Sequence, residues 1–394
     1  MNKIKKDNVH RAVRKRQKQH KKSAHVYFVV FVLCLVLFVS YIITVVLHPI
    51  GLIEYVKSEV ASVGYGSGYD ISLDDGKPFY SLNSDDKFVV VSSNSVDGYN
   101  REGKTVFEKK HSFSDPVVKL SETRFLLYGQ GERTLSVNTF SKTLFTLNLS
   151  SGIIAAALSD SGVFAVATKA DGYSSVVSVF DKNNKKIYEW FSSDETVNSL
   201  SIADNGKSIA VSTLKVVNGK FVSNFYVLKF NSADAVVKKT FEDDVIYQIY
   251  PTSTTTYCVV MSDNIEFINY KKDKAISHKS EYSVSIIKQY ENKIVTVRNI
   301  AANQEESVVE IYSNLGKLQH TFKVNCKITD FSYSANKIYL LGDQEIVKYN
   351  TKGEIVSDAK AHYDALYIEF VSSNAVACIR NSSIDKIQLE RTEE

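Results

Sequence analysis

Short, strongly apolar runs recur along most of the chain: FVVV (88–91), FLLY (125–128), VFAVA (163–167), SIAV (208–211), YCVVM (257–261), KIVTV (293–297), KIYLL (337–341) and AVACI (375–379). Eight such runs lie 36 to 49 residues apart. Each is too short for a buried helix and rich in β-branched or aromatic residues, which predicts a fully buried strand. After each run comes a segment that alternates apolar and polar residues, a polar turn, and a second alternating segment. VSVFDKNNKKIYEW (177–190), VEIYSNLGKLQHTF (309–322), IVKYNTKGEIVSDA (346–359) and VDGYNREGKTVFEK (96–109) show the pattern clearly, and VNTFSKT (137–143), KFNSADAV (229–236) and NYKKDKA (269–275) are degenerate copies. Turns such as NLGK and TKGE supply residues that tolerate positive φ, so each copy is a β-hairpin. Between the buried run and its hairpin lies a variable loop, longest in STLKVVNGKFVSNF (212–225).

A further strand precedes each buried run, as in GIIAAALSDSG (152–162) and VNSLSIADNG (197–206). The repeat is therefore four antiparallel strands, a to d, in about 40 residues. Four short strands cannot bury a core alone, and copies packed face to face close into a ring. The pattern predicts an all-β, eight-bladed β-propeller over 69–394, with seven blades as the alternative if the weak unit 244–280 merges with a neighbour. Ala155, Ala156 and Ala157 suit an innermost strand, where blades converge. The eighth unit is cut short: its third strand, DKIQLE (385–390), is followed only by RTEE. YDISLD (69–74) alternates cleanly, with Tyr69, Ile71 and Leu73 on one side. It is expected to supply the missing outer strand, so that both ends of the ring share one sheet and no edge stays open.

These units resemble the WD40, YVTN-type and quinoprotein-like propellers. The whole layout is similar to poorly characterised bacterial single-pass membrane proteins that carry an extracytoplasmic propeller of unknown function. The likeness is one of architecture. The Trp-Asp signature is missing, since the single tryptophan, Trp190, precedes Phe191. One tryptophan also cannot supply the docking motifs that quinoprotein propellers repeat between blades, so no quinone cofactor is expected.

The pattern changes before residue 69. Val26–Leu47 contains 17 Val, Leu, Ile or Phe among 22 residues and no charge. As a helix it would be about 33 Å long, enough for a hydrocarbon core of about 30 Å. A cleaved leader would have a shorter apolar stretch and a small-x-small site, and HPIGLIEYVKSEVASVG behind it offers none. The span, 25–48, is read as an uncleaved anchor in the lipid bilayer. Residues 1–24 hold ten Lys or Arg and one acid, a net +9, so the remaining chain carries −5. Cations beside a span stay cytoplasmic. The expected layout is a basic cytoplasmic tail (1–24), a transmembrane helix, a stem (49–68) and an extracytoplasmic propeller (69–394). An acidic domain across the membrane disfavours a nucleic-acid partner.

Candidate chemistry is sparse. Outside the tail and span, His111, His278 and His320 fall in or near outer strands, and His362 lies between two units. No H-x-x-x-H, C-x-x-C or G-x-S-x-G occurs. GYGSGY (64–69) leads into a strand rather than a helix and reads as a hinge. LDDGK (73–77) and ADNGK (203–207) read as turns, not calcium loops. Cys258, Cys326 and Cys378 are expected as buried free thiols, although one disulfide among them is not excluded by spacing. No catalytic, cofactor-binding or metal-binding residue is assigned, and no cofactor is expected. The chain reads as a membrane-anchored binding or scaffolding module of the cell envelope, with a protein, peptide or glycan partner. The alternatives are a glycan hydrolase or lyase with carboxylates converging near the axis, and a single-pass sensor.

Overall fold

The computed structural model describes residues 27, 29–39, 50–73, 76–84, 86–232, 234–290, 292–300 and 306–391. The chain divides into two compact units, 1–55 and 56–394. In the first, residues 27 and 29–39 are helical, and Val29–Val39 expose large apolar side chains on every face, Phe31 and Leu37 among them. Among the described residues no helix is long and apolar enough to cross a membrane. Residues 26, 28 and 40–47 of the expected span, and the whole basic tail, lie outside the described residues.

The second unit is a ring of eight antiparallel sheets. Blade 1 spans residues 78–110, blade 2 116–148, blade 3 153–192, blade 4 196–242, blade 5 248–279, blade 6 286–324, blade 7 328–360, and blade 8 365–388. Strands a to d run outward from the axis in sequence order, and the b strands are the eight apolar runs. Unit 244–280 is a complete blade, so the count is eight and not seven.

The core is eight apolar layers, one between each pair of neighbouring blades. This follows from the alternation. Successive residues of a strand point to opposite faces of a radial sheet, and both faces meet a neighbour. The b strands are therefore buried on both faces, as in Lys87–Ser92, whose centre is the apolar run 88–91. The d strands lie at the outer side of the ring and expose every second residue, as Gln319, Thr321 and Lys323 in Leu318–Val324.

The seam closes as the alternation predicts. Ile71 and Ser72 pair with Ile384 and Ser383, and Leu73 N donates to Ser382 O at 2.8 Å. Tyr69, Ile71 and Leu73 pack together on the layer between blades 8 and 1. At Gly103 (φ +78°) a Cβ would sit 2.7 Å from Tyr69 N, so only glycine lets the closing segment lie against this turn. Two features differ from expectation. The segment after Leu389 is not a loose end: Glu390 and Arg391 add a fifth strand to blade 7, opposite Asp358 and Ser357. The stretch 212–225 is not a loop. Strands Ser208–Val217 and Lys220–Lys229 of blade 4 form a hairpin of ten residues each, against five to eight for the b and c strands elsewhere. Its tip, Asn218-Gly219, has positive φ at both positions, as a two-residue hairpin turn requires. Val216, Val217 and Phe221 stand exposed near the tip.

The stem carries more structure than a hinge. Helix α1 (Leu52–Ser62) precedes the glycines, and its Ala61 packs on the layer between blades 1 and 2. Tyr65 and Thr105 exchange backbone hydrogen bonds at 2.9 Å, while Asn100 Nδ2 donates to Val63 O at 2.8 Å. The chain thus enters the ring at the c–d turn of blade 1. The ring face with the c–d turns also carries the a–b turns.

Candidate functional site

A cavity of about 750 Å³ occupies the axis and is lined by inner-strand residues of all eight blades, with a–b turn residues from several of them. That volume is within the range of small-molecule sites. Strand register makes its walls comparable. Phe88, Phe125, Phe164, Ile209, Tyr257, Ile294, Ile338 and Val376 begin the apolar run of each blade and pair with an a-strand residue. One step inward from that residue lies a ring of equivalent positions. In blades 1 to 5 it holds Leu82, Lys119, Ala157, Ser201 and Tyr250, all of which line the cavity. In blades 6 to 8 it holds Lys288, Ser332 and Glu369, which do not.

The two lysines of this ring are four blades apart and have opposite surroundings. Lys288 Nζ lies 2.8 Å from Asp330 Oδ1 and 3.8 Å from Glu369 Oε1, and donates to Phe331 O at 2.7 Å. Burial alone would pull its pKa down, but the two carboxylates override this and hold it above the usual lysine range. Glu369 is wholly buried and accepts from Ser81 Oγ at 2.7 Å and Asn83 Nδ2 at 3.1 Å. Burial pushes its carboxyl above the usual range, Lys288 pulls it back in part, and Asp330 adds to the rise. Asp330 Oδ2 accepts from Ile368 N at 2.9 Å. The network ties blades 6, 7, 8 and 1 together across the seam.

Lys119 is half-buried and makes no hydrogen bond or ion pair with any described residue. Burial holds its amine below the usual lysine range, and among the described residues no carboxylate offsets that. Where Lys288 meets Asp330 on the next blade and Glu369 two blades on, the equivalent positions seen from Lys119 are Ala155 and Ser201. The opposite wall is aromatic: Tyr250, Tyr290, Tyr333 and Phe370, one each from blades 5 to 8. The Arg101 guanidinium lies 4.9 Å from the Phe370 ring centre.

Acids gather at the cavity rim. Glu122, Asp160 and Asp204 come from the a–b turns of blades 2, 3 and 4. Glu122 N donates to Asp160 Oδ1 at 3.2 Å. Asp204 is an exposed residue in the cavity mouth. Desolvation pushes its carboxyl up to about 6, and the neighbouring Asp160 charge adds to the rise. Among the described residues no group of three His, Cys, Asp or Glu could hold a metal ion.

The four histidines of the propeller unit stay away from the axis. His111 follows the outer strand of blade 1, His278 and His320 lie in outer strands, and His362 sits 3.7 Å from Asp385 between blades 7 and 8. Cys258 and Cys378 are buried free thiols and Cys326 is half-buried and free.

Residues 59–389 match a family of unknown function, DUF5711. The chain is a DUF5711 protein. No curated protein matches it in sequence. Among solved structures, the DUF5711 ring is similar to one described as the Dos1 propeller, at 10% identity and a TM-score of 0.55, over 83% of this chain and 96% of that one. Dihydro-heme d1 dehydrogenase NirN, solved in complex with DHE, is similar at 12% identity and a TM-score of 0.55, over 83% of this chain and 78% of the other. At these identities the likeness establishes the β-propeller fold alone.

Proposed function

We propose that this DUF5711 propeller is a binding module of the cell envelope, held outside the membrane by residues 26–47. The observation that carries the binding reading is the open axial cavity in a ring whose ends are sewn together. A sealed ring gives a rigid frame, and rigid frames hold recognition groups in place at low entropic cost. The anchor reading rests on the 22-residue apolar run, the ten cations before it, and the apolar side chains that 29–39 expose on all faces. A tether would also raise the module's effective concentration near other envelope components.

A test combines protease protection with crosslinking. In intact cells an external protease should remove a C-terminal tag and spare an N-terminal one. Crosslinking should then recover a stable envelope partner, and recovery should fall when Val216, Val217 and Phe221 at the hairpin tip are changed to serine. A protected C-terminal tag would refute the topology. Failure to recover any partner, from cells and after mutation alike, would refute scaffolding.

One observation favours an enzyme as the second reading. Asp204, pushed up to about 6 beside Asp160, combines a carboxyl poised for proton transfer with a carboxylate nearby, the pairing that glycan hydrolysis uses. Loss of turnover on a glycan panel in Asp204→Asn, with the fold intact, would move the assignment to this reading.

A further inference from the structure

The Lys119 half of the axial ring repeats the Lys288 half with the acids removed. At Lys288 the chain supplies its own counter-charges, Asp330 and Glu369, and fills the space they need. At Lys119 the equivalent positions are Ala155 and Ser201, and Lys119 and Ser201 both line the 750 Å³ cavity. Among the described residues Lys119 has no counter-charge; a half-buried ammonium without one is costly, and an apolar residue at this position would remove the cost. An ammonium kept there, facing open volume, is the arrangement of a ligand site. Across the cavity stand the rings of Tyr250, Tyr290, Tyr333 and Phe370. A flat apolar body would meet these rings while its charged end reached Lys119.

We infer that the axial cavity binds a small aromatic carboxylate, whose carboxylate on Lys119 takes the place that Glu369 fills beside Lys288. The inference deepens the binding-module reading and rests on it, but not on the membrane anchor. The ligand is recognised at one charged end and one flat end, and Ala157 and Ser201 leave room between them. The bound carboxylate would restore Lys119 toward an ordinary lysine environment and couple blades 2 and 4 through the ligand.

The probe is 4-fluorobenzoate, added to the full-length chain in detergent and followed by fluorine NMR line broadening. Binding is expected for the wild type and for Lys119→Arg, and weaker by about tenfold or more for Lys119→Met. The uncharged 4-fluorobenzamide should not compete, and Lys293→Met at the cavity rim should bind like the wild type. A second variant works from the other direction. Ser201→Glu places an internal carboxylate where Glu369 stands in blade 8, so it should abolish probe binding and raise the thermal midpoint. Three results would each overturn the inference: no binding to the wild type, equal binding by the benzamide, or unchanged binding in Lys119→Met. Stronger displacement by inorganic phosphate than by unlabelled benzoate would overturn the carboxylate assignment. A failed probe with a partner still captured by crosslinking would leave the binding-module reading standing, and a bound probe without a partner would do the reverse for scaffolding.

Discussion

Two lysines at equivalent positions of one ring show what the halves of this propeller are for. Lys288 is walled into a network of two carboxylates, a carbonyl, a serine and an asparagine that crosses the seam. Lys119 lines the open cavity together with Ala157 and Ser201. The backbone around both is the same strand in the same register, so the difference lies in a few side chains on the neighbouring blades. At this position one half of the ring uses its charges in closure, and the other leaves Lys119 lining the cavity. A repeat fold makes this division visible, because each position has seven counterparts against which to read it.

The largest break in the comparison should come from Lys288→Met. It leaves Glu369 and Asp330 buried without their cation, at a cost of roughly 3–5 kcal/mol by denaturant titration. Adding Glu369→Gln and Asp330→Asn should return a good part of that loss, because the orphaned charges are then gone. Next comes deletion of 69–73, which strips blade 8 of its outer strand and uncovers the apolar layer at the seam. With three partly buried apolar side chains removed, about 3 kcal/mol should be lost, and an unchanged thermal midpoint would show that the seam does not need this strand.

A smaller effect follows from Asp204 on the open half. Its carboxyl is raised to about 6 in the fold from an ordinary value of 3.8. Between these values the folded chain holds more protons than the unfolded chain, so its stability falls as pH rises. Asp204→Asn removes that contribution. The variant and the wild type should have equal thermal midpoints below pH about 4, and the variant should be the more stable above pH about 6. A constant difference across this range would mean that Asp204 titrates normally.

Much of the fold was legible because its grammar is periodic. The eight apolar runs mark the b strands, the polar turns mark the c–d hairpins, and the alternation of Tyr69, Ile71 and Leu73 marks the closing strand on its packed side. The hairpin tip at Asn218-Gly219 was also in plain sight as a two-residue turn, but a length unlike its siblings made it read as a loop. Glu390–Arg391 could not be foreseen, since two polar residues at a chain's end carry no strand signal. The cavity was hidden for a different reason. Lys119, Lys288 and Glu369 sit in PVVKLSE, SIIKQYEN and YIEFVSS, where each looks like the polar position of an ordinary alternating strand. Their meaning comes only from alignment of the units on the first residue of each apolar run. That step puts charges at an innermost position that alanine fills in blade 3. Partnership is then a matter of neighbours two blades away, 81 residues along the chain in the case of Lys288 and Glu369.

The most direct test of the two-halves account is the change in unfolding free energy of the propeller in Lys119→Met set beside that in Lys288→Met. The account predicts opposite outcomes: Lys288→Met loses roughly 3–5 kcal/mol, while Lys119→Met is unchanged or gains about 1 kcal/mol, because it removes a half-buried charge that has no ion-pair partner among the described residues. Equal losses in the two variants would show that Lys119 is bound into the fold as Lys288 is, and would contradict the account.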